Sequence, residues 1–161
     1  MGYKFEDIKE GQLAELPKLR EVQLYLYPDV MFDSEQIRCS KDAANIFRGC
    51  YNTGHIGLRE EFKALYLNKA NYALAYCTHS IGAIGGTMVD TKQIMATSLK
   101  LMASGIILCH NHPSGNPKPS QTDINLTKQF AKAAQYFEIQ LLDHIILTSN
   151  GYHSMADEME M

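Results

Sequence analysis

Four consecutive apolar residues, Ile106-Ile107-Leu108-Cys109, run directly into His110-Asn111-His112-Pro113. A run that is apolar at every position, without alternation, is the pattern of a strand buried on both faces, and it belongs in the middle of a sheet. Because strand side chains alternate, His110 and His112 project to the same side at its end. Asp123, eleven residues after His112, can return on the next helix and complete a triangle of metal ligands.

The segments around this run alternate between strand and helix patterns. Ser40 is placed to cap a helix in which Ala43, Ala44, Phe47 and Cys50 recur at helical spacing, and Tyr51-Asn52-Thr53-Gly54 closes it. Two β-like runs follow, 62–67 and 72–77, joined by the hairpin-type turn Asn68-Lys69-Ala70-Asn71. Gly82, Gly85 and Gly86 mark a bend or a third short strand. Asp90 is placed to cap a helix over 91–103, with Met95, Leu99 and Met102 as its apolar stripe and Gly105 as its stop.

Beyond a loop at 113–119 whose path is set by proline and glycine, Ser120 opens a helix. Its expected buried face is Leu126, Phe130, Ala133, Ala134 and Phe137. A last strand over 141–147 turns at Asn150-Gly151 into a short segment around Tyr152 and His153. The predicted class is α/β, a layered α+β arrangement of a mixed sheet flanked by helices. Residues 1–37 read differently: a polar entry and one alternating stretch, Val22 to Leu26, that stops at Pro28. They are expected to form an arm laid on a main domain of residues 38–161.

With 161 residues and 45% hydrophobic content, the chain can build one domain with its own core. A net charge of -3 and scattered Lys and Arg residues give no overall attraction to nucleic acid. Cys39, Cys50, Cys77 and Cys109 lie far apart with no C-x-x-C pair, the usage expected of reduced, mostly buried thiols. The acidic N-terminal residues lack a signal-peptide core, and no run approaches eighteen apolar residues, so a cytoplasmic, non-membrane protein is expected.

A catalytic zinc takes three protein ligands and keeps a fourth position for water, whose pKa falls to roughly 7. His110, His112 and Asp123 are the candidate ligands. A carboxylate must also take the proton from that water and pass it to the leaving amine. Glu60 and Glu61 precede the strand that starts at Phe62, and only one of two strand neighbours can face the metal.

An upstream glutamate, then H-x-H-P, then S-x-x-D with seven residues between the second histidine and the serine, resembles the JAMM (JAB/MPN+) metallopeptidase motif. Arg59-Glu60-Glu61-Phe62, His110-Asn111-His112-Pro113-Ser114-Gly115, Pro119-Ser120 with Asp123, and Leu142-Asp143-His144-Ile145 together look like the bacterial RadC family over about residues 38–158. The resemblance implies a JAB/MPN-like sheet, related in layering to cytidine deaminases, with zinc on His110, His112 and Asp123. It implies Glu60 as general base, Glu61 facing away, and Ser120 supporting the oxyanion or orienting the water. It also implies hydrolysis of a peptide or isopeptide bond in a peptide or protein substrate.

Other readings stand beside this one. Ser120 and Asp123 can serve as cap and first-turn acid of a helix as well as serving a metal. His55, His79 and His153 read as ordinary surface groups, and Cys109 as core. Asp143-His144 is either a structural pair or outer support for the metal site. The family's association with DNA repair implies an alternative role as an accessory binding module. Longer RadC proteins carry a helix-hairpin-helix region, which residues 1–37 do not resemble. A metal-bearing scaffold without activity is a third reading. The literal His-Asn-His triplet is unrelated to the HNH nuclease motif, and the H-x-E and P-C-x-x-C of zinc deaminases do not occur.

Overall fold

The computed structural model describes residues 36–82 and 89–161. Residues 1–35 of the expected arm, with its strand at 22–26, and Gly85 and Gly86 lie outside these residues; of its last two, Gln36 forms a bridge to Tyr72 and Ile37 packs in the core. The elements are α1 (Ser40–Cys50), β1 (Glu61–Leu67), β2 (Ala73–Ile81), α2 (Thr91–Lys100), β3 (Gly105–Asn111), α3 (Gln121–Gln135), β4 (Gln140–Leu147) and β5 (Tyr152–Ser154). The strands form one mixed sheet in the order β2-β1-β3-β4-β5, which places the apolar run 106–109 at its centre. Every residue of β3 is buried.

β1 pairs antiparallel with both β2 and β3, β3 pairs parallel with β4 through the α3 crossover, and β5 closes antiparallel on β4. Alternation along β1 and β3 sorts the core into two layers. Leu65, Leu67, Ile107 and Cys109 face α1, where they meet Ala43, Ala44 and Phe47. Phe62, Ala64, Tyr66, Ile106 and Leu108 face the other way, toward Ile94 and Met95 of α2 and Phe130 and Ala134 of α3. The hairpin at 68–71 is fastened by the Asn68 side chain, which accepts the amides of Ala70 and Tyr72, and Asn71 takes the left-handed conformation (φ 60°) that asparagine tolerates.

Asp90 caps α2 as expected, accepting the Lys92 amide at 2.9 Å. Several other expectations are corrected. Cys39, with no side-chain cap bond, holds the N-cap of α1, while the Ser40 hydroxyl lies 2.6 Å from Asp157 Oδ2 and 3.3 Å from the Tyr152 hydroxyl. Ser40 thus ties α1 to the C-terminal turn instead of capping it. α2 stops at Lys100, so Gly105 opens β3, and the face of α2 that packs inward is Ile94, Met95 and Ser98 while Leu99 and Met102 are exposed. Phe137 is also exposed, because α3 ends at Gln135 before the helical spacing reaches it. Of the cysteines only Cys109 is buried, Cys50 and Cys77 are half-buried and Cys39 is exposed, and all four are free thiols. Among the described residues no helix is long and apolar enough to cross a membrane.

Candidate metal centre

β3 ends at Asn111, and His110, on the same face as Leu108, points toward the α3 layer. His112 continues the strand direction, its amide donating to the Leu147 carbonyl at 2.8 Å, and so returns to the face of His110. The loop 113–119 then leads to Ser120, the N-cap of α3. A full capping box forms there: the Ser120 hydroxyl oxygen accepts the Asp123 amide, and Asp123 Oδ2 accepts both the Ser120 amide (2.7 Å) and the Ser120 hydroxyl (2.6 Å). With Oδ2 bound from behind, Asp123 Oδ1 is left facing His110.

Three donor side chains converge. His110 Nε2 lies 3.0 Å from His112 Nε2 and 3.4 Å from Asp123 Oδ1, and His112 Nε2 lies 3.7 Å from Asp123 Oδ2. Ligands about 2.0–2.1 Å from a tetrahedral zinc stand roughly 3.3 Å from one another. One ligand atom from each of the three side chains lies within 4.8 Å of the others, so a small adjustment of Asp123 brings two imidazole nitrogens and a carboxylate oxygen to three corners of such a site. His112 Nδ1 faces the Asn116 carbonyl at 2.7 Å; a carbonyl can only accept, so Nδ1 carries a hydrogen and Nε2 is the ring nitrogen turned to the centre.

The electrostatics follow from this crowding. Burial works to raise the Asp123 pKa, but hydrogen bonding with His110, His112 and Ser120 outweighs it and holds the carboxyl far below the usual range. His112 is shifted upward, chiefly by its hydrogen bond to Asp123, against the opposing effect of burial, with the Asn116 carbonyl and the charge of Glu60 adding to the rise. On the inner side, His110 Nδ1 lies 2.8 Å from His144 Nε2, and His144 Nδ1 lies 2.6 Å from the Thr127 hydroxyl. His110, His144 and Thr127 are all buried, and the Phe62 ring stacks on His110 at 6.0 Å between centroids.

The two glutamates separate as strand alternation requires. The β1–β3 register sets Phe62 opposite His110, and Glu60 and His112, each two residues beyond that pair, line the same cleft. Glu60 lines a cleft of about 540 Å³ together with His112, Ser120, Leu58, Asn116 and Lys118. Glu61 turns to the α1 face, where Lys63 (2.9 Å) and Arg59 (3.0 Å) bind its carboxylate and Lys63 also sits over the Tyr51 ring. Burial raises the Glu61 pKa, and these two cations more than offset it, leaving the group below its usual value.

Asn111, between the two histidines, has no assigned role in the sequence pattern, yet it organises the approach to the site. Fully buried and facing away from the donors, it accepts the Glu61 amide at 2.8 Å and donates to the carbonyls of Ile56 and Arg59, each at 2.8 Å. It thereby fastens the segment that carries Glu60 to β3. The available signal was its parity: a polar residue between two same-side histidines on a central strand must point into the opposite layer and needs partners there.

Asp143 and His144 divide the two readings offered for them. Asp143 anchors the C-terminal turn, accepting from Ser154 Oγ and the amides of His144 and Ala156, while His144 stands behind His110. His79 is corrected from a surface group: half-buried, its Nε2 lies 2.6 Å from the Tyr66 hydroxyl, and burial lowers its pKa to about 4. His153 pairs with Glu160 at 2.8 Å, and His55 lies 3.1 Å from Arg59.

Comparison with known proteins agrees with this architecture. A UPF0758 protein of Flavobacterium johnsoniae is 35% identical over 155 residues, covering 96% of this chain and 66% of that protein. One from Clostridium acetobutylicum is 34% identical over 127 residues, covering 79% and 54% respectively. One from Aquifex aeolicus is 40% identical over 100 residues, covering 62% and 43%. The chain thus spans between 43% and 66% of the length of these relatives. Residues 37–160 match the family described as the RadC-like JAB domain, and the chain belongs to that family.

Proposed function

We propose that the chain is a zinc-dependent hydrolase of the JAMM type that cleaves a peptide or isopeptide bond. The observation that carries this reading is the convergence of His110 Nε2, His112 Nε2 and the Asp123 carboxylate beside a cleft that Glu60 also lines. Zinc held by those three side chains would lower the pKa of a water to roughly 7 and polarise a substrate carbonyl. Glu60 takes the proton from the attacking water and delivers it to the leaving amine nitrogen, a role worth about 10²–10⁴ in rate. Ser120 holds Asp123 in place through its amide and hydroxyl, and rotation of that hydroxyl into the cleft would offer a donor to the developing oxyanion. Pro113 and Pro119 bracket the cleft wall and limit the reorganisation it needs on binding.

The test is metal analysis of the purified protein combined with a screen of peptide and isopeptide substrates. Wild type and Glu60→Gln are expected to hold about one zinc per chain, with hydrolysis in wild type alone, and His112→Ala is expected to lose the metal. Stoichiometric zinc in His112→Ala, or equal rates for wild type and Glu60→Gln, would refute the proposal.

A further inference from the structure

The groups behind His110 leave little freedom in where its proton sits. The Asp123 backbone carbonyl can only accept, and the Thr127 hydroxyl lies 2.6 Å from it, so the single hydroxyl proton goes there. The same hydroxyl oxygen is 2.6 Å from His144 Nδ1. Its proton being spent, it must accept, and His144 Nδ1 must carry a hydrogen. His144 is fully buried, with its two ring nitrogens taken up by Thr127 and His110, so it stays singly protonated and its Nε2 is bare. That bare nitrogen lies 2.8 Å from His110 Nδ1, which must therefore donate.

We infer that Thr127 and His144 are positioning residues that fix His110 in the form protonated on Nδ1, keeping its Nε2 lone pair aimed at the metal centre. The inference rests on the zinc reading above, and it deepens that reading by assigning work to two side chains that touch neither metal nor substrate. The reverse order of protons would leave the Thr127 hydroxyl oxygen and the Asp123 carbonyl oxygen 2.6 Å apart with no hydrogen between them. His112 gets the same tautomer from the Asn116 carbonyl in the exposed loop, whereas the support of His110 is sealed in the core. The chain thus has one ligand held by a loop and one held by a buried relay of three hydrogen bonds.

The experiment uses the full chain with ¹⁵N-labelled histidine, freed of zinc and held at about pH 8. Two-bond ¹H–¹⁵N imidazole correlations report the tautomer of His110, and competition against a chromogenic chelator reports the affinity for Zn²⁺. Wild type and Thr127→Ser are expected to show His110 protonated on Nδ1. Thr127→Val keeps the side-chain shape and removes the hydroxyl; it is expected to shift His110 toward the Nε2-protonated form and to weaken zinc binding about 10–100-fold. Zinc affinity in Thr127→Val equal to that of wild type overturns the inference. So does a wild-type His110 protonated on Nε2, a result that needs no variant to fold. If wild type binds no zinc, the metal reading fails by itself, while the imidazole spectrum still decides the relay.

Discussion

Asn111→Ala separates the proposed metal site from the proposed base. The Asn111 side chain makes three bonds of 2.8 Å, one accepted from the Glu61 amide and two donated to the Ile56 and Arg59 carbonyls. At about 0.5–1.5 kcal/mol net each, these set a floor near 1.5 kcal/mol, and stranding the buried Glu61 amide moves the loss toward 4. Against a domain stability of about 5–15 kcal/mol the variant still folds. None of the three donors at the metal centre touches the Asn111 side chain, so zinc content should stay at about one per chain while the turnover that depends on Glu60 falls. The assay is urea denaturation of the zinc-free proteins, with metal analysis and kinetics on the loaded ones. A stability loss under about 1 kcal/mol, or loss of zinc in the folded variant, would refute the reasoning. Asn111→Asp adds a sign. Its carboxylate would keep the acceptor for Glu61 but oppose two carbonyls, so its folded pKa lies above the unfolded value of about 3.9. The penalty is therefore whole above the folded pKa and fades as the pH falls through it, and a melting profile against pH reads this directly.

Three more outcomes are expected. Lys63→Met leaves the buried Glu61 carboxylate with only half-exposed Arg59 and should cost about 3 kcal/mol, partly regained in the double variant with Glu61→Gln, as read by denaturant midpoints. His79, near 4 when folded and about 6.5 when unfolded, contributes stability that is whole above pH 6.5 and is lost as the pH falls toward 4. Discounted for its partial exposure this is about 2 kcal/mol, and His79→Phe should flatten that part of the profile; an unchanged difference between melts at pH 7 and pH 4.5 counts against it. Zinc at a thousandfold excess over its dissociation constant should stabilise wild type by about 4 kcal/mol and leave His112→Ala unmoved, as read by the melting temperature with and without chelator.

The central strand, the hairpin, the α2 and α3 caps and the three donor residues were legible because each rests on local pattern. The inward faces of α2 and α3 were misread where helices ended earlier than their apolar spacing: Leu99, Met102 and Phe137 continue a stripe but not a buried one. His144 was ambiguous for a different reason. Leu141 packs in the α3 layer with Ile106, and strict alternation from there would aim His144 at α1. The β3–β4 pairing slips by one residue between Ile106 and Ile107, setting Asp143 opposite Ile107 and His144 opposite Leu108, on the face of His110. Such an irregularity is a property of two strands together, and neither strand's own sequence announces it.

Register is also what chooses between the two glutamates. The pairing that sets Phe62 opposite His110 brings Glu60 to the side of His112, and a slip of one residue would present Glu61 instead, because every side chain on the strand would change faces. Backbone pairing alone resists such a slip weakly at a strand end, where β1 emerges from the loop at 51–60. Two side chains resist it further. Asn111 accepts the Glu61 amide and grips the carbonyls of Ile56 and Arg59, and Lys63 holds the Glu61 carboxylate in the α1 layer. Pulling Glu61 across the sheet would strip a buried carboxylate of both its cations and orphan a buried lysine, a penalty of several kcal/mol. The Glu61 carboxylate therefore works with Asn111 to keep Glu60 in place, and Glu61→Gln should lower turnover without touching the proposed metal ligands, by loosening the register on which the position of Glu60 depends.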